Sequence, residues 1–357
     1  MRREWLDWAR GLAVVLMVLA HVVDAWTRDA DRGRTAFYWA TFFGGLAAPA
    51  FLFLAGLGTA LSGASKEARG LAAAATTAAL ARRGLTIFGL AFVFRLQALV
   101  LGLGRPVDLL KVDILNVMGP ALVVAAGVWG LGRRAAGRIV LALAVTAALA
   151  LVAPLARTAG WVDALPSPLQ WYMRPTPGHT NFTLLPWAAF VTAGLAAGVA
   201  LAAATTREAE RRLQILLAVA ALAGAACAYW ASFQPTIYPP GRSTFWGASP
   251  TFFFLRLGIV VAFLPLTFAL GGLMPWPLAG ALATLGARSL FVYWVHVELV
   301  YGGVAILIKR RLPFALTLVA TAGVAYGMAR LVPWALRWVA APEGRPEPLR
   351  RLVAKLL

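Results

Sequence analysis

Ten apolar segments, each about long enough to cross a bilayer, follow one another along this chain with mostly short polar connections. They run approximately over 8–26, 39–62, 83–104, 112–131, 138–156, 182–204, 212–231, 251–271, 286–308 and 315–338. In hydrocarbon only a helix or a closed barrel satisfies its own backbone polar groups, and about 20 apolar residues in a helix span the core. These segments are too long for barrel strands and are not alternating, so the expected fold is all-α, a polytopic membrane bundle of about ten transmembrane helices. Composition agrees: 61% of residues are hydrophobic, 13% are charged and the mean hydropathy is +0.76. A single transmembrane domain over 1–338 is expected, with a basic tail over 339–357. The apolar piece at 276–285 reads as a half-helix, and the Ala-rich stretch 71–81 as an extension of the third span.

The net charge of +19 raises nucleic acid as a partner, but the basic residues sit in short clusters between spans. That is the pattern of membrane topology, and no nucleic-acid partner is expected. With the N-terminus inside, the cytoplasmic side collects Arg2, Arg3, Lys66, Arg69, Arg82, Arg83, Arg133, Arg134, Arg138, Arg207, Arg211, Arg212, Arg345, Arg350, Arg351 and Lys355. Fewer lie outside, Arg242 among them. The cluster Lys309-Arg310-Arg311 disagrees, falling outside unless the half-helix changes the count. Met1-Arg2-Arg3 before an apolar run resembles a signal peptide, yet Asp7 and Trp8 and the length of the run favour an uncleaved span. One cysteine, Cys227, and three scattered histidines give no disulfide and no expected metal site.

Arg10 and His21 stand eleven residues apart in the first span. Eleven steps of about 100° make about three turns plus 20°, so both side chains lie on one stripe with a rise of ~16 Å. Ionisable groups at membrane depth are costly and mark functional sites. Asp24, three residues after His21, lies on the neighbouring face. Asp7 and Arg10 also read as a helix-start ion pair.

Further candidates for a substrate pocket are Arg95 and Gln97 in the third span, and Asp113 and Asn116 entering the fourth. His179 and Asn181 precede the sixth span; Ser289, Tyr293 and His296 lie in the ninth, seven residues placing Ser289 and His296 on one face. For His179 and His296 an interhelical hydrogen bond has equal weight. An Arg95–Asp113 ion pair that sets helix register is likewise an equal reading. Arg256 and Arg288 are further cations in or at the edge of spans. Gly56-Leu57-Gly58 and Gly102-Leu103-Gly104 suit close helix packing, not a dinucleotide fold. Trp26, Tyr38, Trp39, Trp171, Tyr172 and Trp187 fit interfacial belts.

Four of these stretches together resemble one family. Leu6-Asp7-Trp8-Ala9-Arg10-Gly11 with its following apolar run is similar to the first motif of the heparan-α-glucosaminide N-acetyltransferase family. Asp113-Ile114-Leu115-Asn116-Val117-Met118-Gly119, Leu184-Leu185-Pro186-Trp187 and Gly286-Ala287-Arg288-Ser289 through His296 resemble three later motifs, in order. The Arg10-to-His21 spacing also looks like that of bacterial membrane O-acyltransferases that decorate surface glycans. The resemblance implies transfer of an acetyl or other acyl group from acyl-CoA, with acetyl-CoA the natural donor. The acceptor would be an extracytoplasmic glycan, an amino sugar or another small molecule. The eukaryotic enzyme has its catalytic histidine in the loop after the first motif helix. Here the corresponding loop, Thr27 to Tyr38, has none. His21 thereby becomes the candidate base, with Asp24 orienting it. Arg10 becomes the candidate coenzyme A contact, with Arg82 and Arg83 as further phosphate contacts that topology explains more simply. A lipid or sugar transporter, and a noncatalytic relative, are the rival readings.

Overall fold

The computed structural model describes residues 3–100, 105–239, 243–245, 247–271 and 273–340, with Val353, Ala354 and Leu356 beyond them. Gly102-Leu103-Gly104, Arg2, Arg242, Arg345, Arg350, Arg351 and Lys355 lie outside the described residues, as does most of the basic tail. The helices in order are α1 (Glu4–Trp26), α2 (Thr35–Gly44), α3 (Ala47–Ala68), α4 (Ala73–Val100), α5 (Ile114–Leu131), α6 (Ala135–Arg157) and α7 (Ser167–Met173). They continue with α8 (Leu184–Ala203), α9 (Arg207–Ala231), α10 (Pro250–Leu270), α11 (Trp276–Ala287), α12 (Ser289–Tyr301) and α13 (Phe314–Ala340). No β-strand occurs among the described residues. Among them, nine helical stretches are long and apolar enough to cross a membrane, counting α2 with α3 as one, and α11 with α12 can make a tenth crossing. The chain is an integral membrane helix bundle. As expected, the Ala-rich stretch belongs to the third span, in α4.

The ninth segment departs from expectation. Instead of a straight helix over 286–308, α11 and α12 meet at an angle of 88°. Their 12 and 13 residues give lengths of ~18 and ~20 Å, each too short to cross ~30 Å of hydrocarbon alone. The break falls at Arg288, whose φ of −124° and ψ of 33° leave the helical region. The half-helix expected over 276–285 corresponds to α11; hydropathy does not show the sharp angle or the short length of α12.

By its contacts the chain divides into two units. The terminal unit joins Met1–Ala48 with Leu266–Leu357. In it, a Cβ on Gly11 would fall on the carbonyl of Leu282, and one on Gly286 on the carbonyl of Asp7. Glycine at both positions therefore lets the backbones of α1 and α11 touch. The loop at 309–312 is pinned to the C-terminal end of α1: Arg310 N–H donates to Ala25 O and Leu312 N–H to Trp26 O, each at 2.9 Å. Lys309-Arg310-Arg311 therefore sits at the end of α1 away from its N-terminus. With the N-terminus on the cytoplasmic side, the cluster would be an exception to the charge rule. Arg310 pairs there with Asp29 at 3.2 Å.

The middle unit is Pro49–Pro265. Gly56 of α3 lies against the carbonyl of Val191, and Gly194 of α8 against that of Phe53, so these two helices also meet backbone to backbone. Close packing was the expected use of the Gly56 pattern. Between α6 and α8, the hydroxyls of Thr146 and Thr192 are 2.7 Å apart.

Candidate active site

The terminal unit brings two of the three histidines together. Nδ1 of His21 on α1 and Nε2 of His296 on α12 are 2.7 Å apart. The rings are inclined by 7° with centroids 5.0 Å apart. Such a long centroid separation with so short an N···N distance means rings meeting edge to edge in one plane, not stacked faces. The contact is an in-line hydrogen bond. Nδ1 of His296 lies 2.7 Å from Val292 O, one helical turn back. A carbonyl only accepts, so His296 Nδ1 carries the proton. The Nε2 of neutral His296 is then an acceptor, and His21 Nδ1–H donates to it. His21 is left with its Nε2 lone pair, which has no hydrogen-bond partner among the described residues. His296 is fully buried and His21 half-buried, so the second ring is held inside while the first faces outward.

Helix bounds refine the depth of His21. Five residues separate it from Trp26, so it lies only ~8 Å from the C-terminal end of α1. Tyr301 lies against the His21 ring, with centroids 5.5 Å apart, and its hydroxyl donates to Asp24 Oδ2 at 3.1 Å. Asp24 is exposed and also faces Arg32, 3.8 Å away. The sequence suggests Asp24 as the partner that orients the imidazole. The structure puts His296 in that place and Asp24 on Tyr301 and Arg32. Tyr293, a turn before His296, has its ring centroid 6.1 Å from that of His296. Ser289 opens the same helix.

At the other end of α1, Arg10 Nη1 bonds to Asp7 Oδ1 at 3.2 Å. This is the helix-start ion pair. Asp7 is buried while the Arg10 side chain keeps 30% exposure, so part of the guanidinium remains open.

Most of the other candidates gather in the middle unit. Arg95 Nη2 meets Asp113 Oδ2 at 2.6 Å, the expected pairing. Asp113 also caps α5: its Oδ1 accepts from Ile114 N–H at 2.7 Å, while Asn116 Oδ1 accepts from Asp113 N–H at 3.1 Å. The loop carrying the third histidine is tied to this point. Val112 N–H donates to His179 O and Asn181 N–H to Val112 O, both at 2.9 Å. His179 stacks on Trp171, centroids 4.3 Å apart and planes within 5°. Tyr172 lies beside Asn116; burial pushes its phenol up and the Asn116 contact works against that. His179 Nδ1 is buried without a hydrogen-bond partner among the described residues. Buried polar atoms are normally satisfied, so this one is suited to a bound polar group. Gln97 is half-buried on α4, and Asn181 is exposed. Arg82 and Arg83 are exposed at the other end of α4.

Tyr301 carries no signal in the sequence and Tyr172 reads there only as an interfacial aromatic, because each gains meaning only from a loop or helix distant in sequence. Trp26 and Trp171 do not lie in an interfacial belt. Both are buried, and Trp26 Nε1–H donates to Val300 O at 3.0 Å.

The described residues form a polytopic membrane helix bundle whose terminal unit holds a hydrogen-bonded histidine pair. Residues 2–235 match the family model for the heparan-alpha-glucosaminide N-acetyltransferase catalytic domain, and the chain belongs to that membrane acetyltransferase-like family. No curated protein matches the chain.

Proposed function

We propose that this protein moves an acetyl or other acyl group from cytoplasmic acyl-CoA to an acceptor on the far side of the membrane, a glycan or amino sugar. The observation that carries this reading is the His21–His296 pair, which leaves His21 Nε2 unprotonated and unpartnered. In this reading His21 is the general base. An acceptor hydroxyl or amine attacks the thioester carbonyl; the new C–O or C–N bond forms and the C–S bond breaks. The acceptor proton passes to His21 Nε2 and then to the departing thiolate. His296 fixes the tautomer and accepts from the imidazolium, while Asp24 and Tyr301 stand on the acceptor side. The exposed part of the Arg10 guanidinium offers an anion contact for coenzyme A at the N-terminal end of α1, and Arg82 and Arg83 are further candidate phosphate contacts in the middle unit. The Arg95–Asp113–Asn116–His179 cluster is the candidate polar pocket in the middle unit.

The broken helix α11–α12 is also a feature of transporters, which bind substrate at interrupted helices. Those proteins pair two such breaks in repeated halves. Here one bent pair occurs among the described residues. Incubating the purified full-length protein with labelled acetyl-CoA separates the readings. Saturable binding and slow release of free coenzyme A thiol are expected. An absence of any interaction would leave the transporter or noncatalytic reading in its place.

A further inference from the structure

Two arginines of the middle unit have a distinctive environment. Arg95 is matched by Asp113, and Arg138 by Glu67 at 2.8 Å. Arg157, the last residue of α6, and Arg256, in the second turn of α10, have no carboxylate partner among the described residues. The Nε atoms of both are buried without a hydrogen-bond partner. Arg256 makes no hydrogen bond among the described residues; its guanidinium lies 4.1 Å from the Phe252 ring centroid and 5.9 Å from that of Trp187. A half-buried cation without a counter-charge is still costly, and aromatic faces return only part of its lost hydration.

Arg256 lines a cleft, and Arg157 lies close behind it. The cleft wall includes Pro186, Trp187, Gly247, Ser249, Phe252 and Arg256. Arg157 approaches from behind that wall. Its Nη2 donates to Thr183 Oγ1 at 2.8 Å and to Leu185 O at 3.3 Å, next to Pro186, and its Nη1 would stand 4.0 Å from a Cβ on Gly247. The interior holds about 20 Å³, room for one or two oxygens of an oxyanion whose remainder sits at the mouth, and not for a sugar ring. The N-terminal end of α10, at Pro250, adds the positive end of a helix dipole.

We propose that Arg256, supported by Arg157, forms an oxyanion site in this cleft that takes a single carboxylate, sulfate or phosphate group. The group's carrier, a soluble acidic sugar or an anionic lipid headgroup, would lie outside the cleft. Planar guanidinium forks suit such groups, because they give two parallel charge-assisted hydrogen bonds. The site is independent of the acyl-transfer reading, and its test needs no turnover.

The test uses the full-length protein in nonionic detergent, titrated with sodium sulfate or sodium glucuronate, and in nanodiscs with or without phosphatidylglycerol. Generic salt stabilisation does not saturate and is shared by all variants. Specific binding appears as a saturable rise in Tm, or as phosphatidylglycerol retained in native mass spectra. Arg256→Met should weaken either signal about tenfold or more, the loss of a charged hydrogen-bond partner. It should also leave the ligand-free protein as stable as before or more so, because an unpaired half-buried charge is removed. Arg256→Lys keeps the charge, so it covers the case in which the Met variant misfolds; it should bind more weakly than wild type. A saturable response to sulfate or glucuronate identifies a soluble acid, and retained phosphatidylglycerol identifies a lipid. If wild type responds to neither, or if the Lys and Met variants respond as wild type does, the site is not an oxyanion site.

Discussion

At the residue scale, the proposed chemistry turns on which nitrogen of His21 is free. The Val292 carbonyl sets the His296 tautomer, and His296 sets that of His21. His296→Phe removes the acceptor and leaves the His21 ring free to change tautomer. The expected loss in kcat is about 10²–10⁴-fold with KM little changed. His296→Gln should recover part of it, since its amide oxygen can accept from His21 Nδ1–H. Equal activity in the Phe and Gln variants would mean that His296 only fills space. Asp24→Asn is expected to stay within a few-fold of wild type, because the carboxylate sits on Tyr301 and Arg32 and not on the ring. The sequence alone made His21 legible, because a titratable ring on an apolar helix face stands out. It did not show the partner: helical periodicity relates residues three or four apart, whereas His296 lies 275 residues away.

At the element scale, hydropathy located the spans to within a few residues, since the hydrocarbon core demands a minimum apolar length. It placed a half-helix over 276–285, which is α11, but not the 88° turn at Arg288, because direction leaves no trace in apolarity and no proline marks the break. Gly286 does leave a testable trace. Any side chain there meets the Asp7 carbonyl, so Gly286→Leu must push α11 away from α1. A cost of about 1–3 kcal/mol or more is expected, read as a lower Tm in detergent. An unchanged Tm would show that the two helices do not cross so closely. The entrance to α5 carries a second device, with Asp113 serving both as cap and as partner of Arg95. A double-mutant cycle over Arg95→Met and Asp113→Asn should show coupling of about 0.5–3 kcal/mol. Additive effects would separate the cap from the ion pair.

At the scale of the whole molecule, the ends of the chain build the unit that holds the histidine pair, and the middle builds the unit with the polar cluster. Apolar counting cannot reveal this division, since every span reads alike. The terminal unit is closed partly by Asp31. Its carboxylate accepts from Arg28 at 2.9 Å and from the Phe314 backbone N–H at 3.0 Å, and the Arg28 bond first, then Phe314, holds its pKa below 3.8. A lowered folded-state pKa gives stability that is present above the unfolded value and lost as pH falls through the folded one. Asp31→Asn should therefore lower Tm at neutral pH, and the gap from wild type should narrow as pH falls below about 4. A gap that stays constant with pH would remove Asp31 from this role.

The most direct test of the central claim is transfer from labelled acetyl-CoA by reconstituted wild-type protein and by His21→Gln, with glucosamine as trial acceptor. Wild type is predicted to release coenzyme A thiol. The variant should bind acetyl-CoA with unchanged affinity but react about 10²–10⁴-fold more slowly. Turnover by His21→Gln at the wild-type rate would contradict the account.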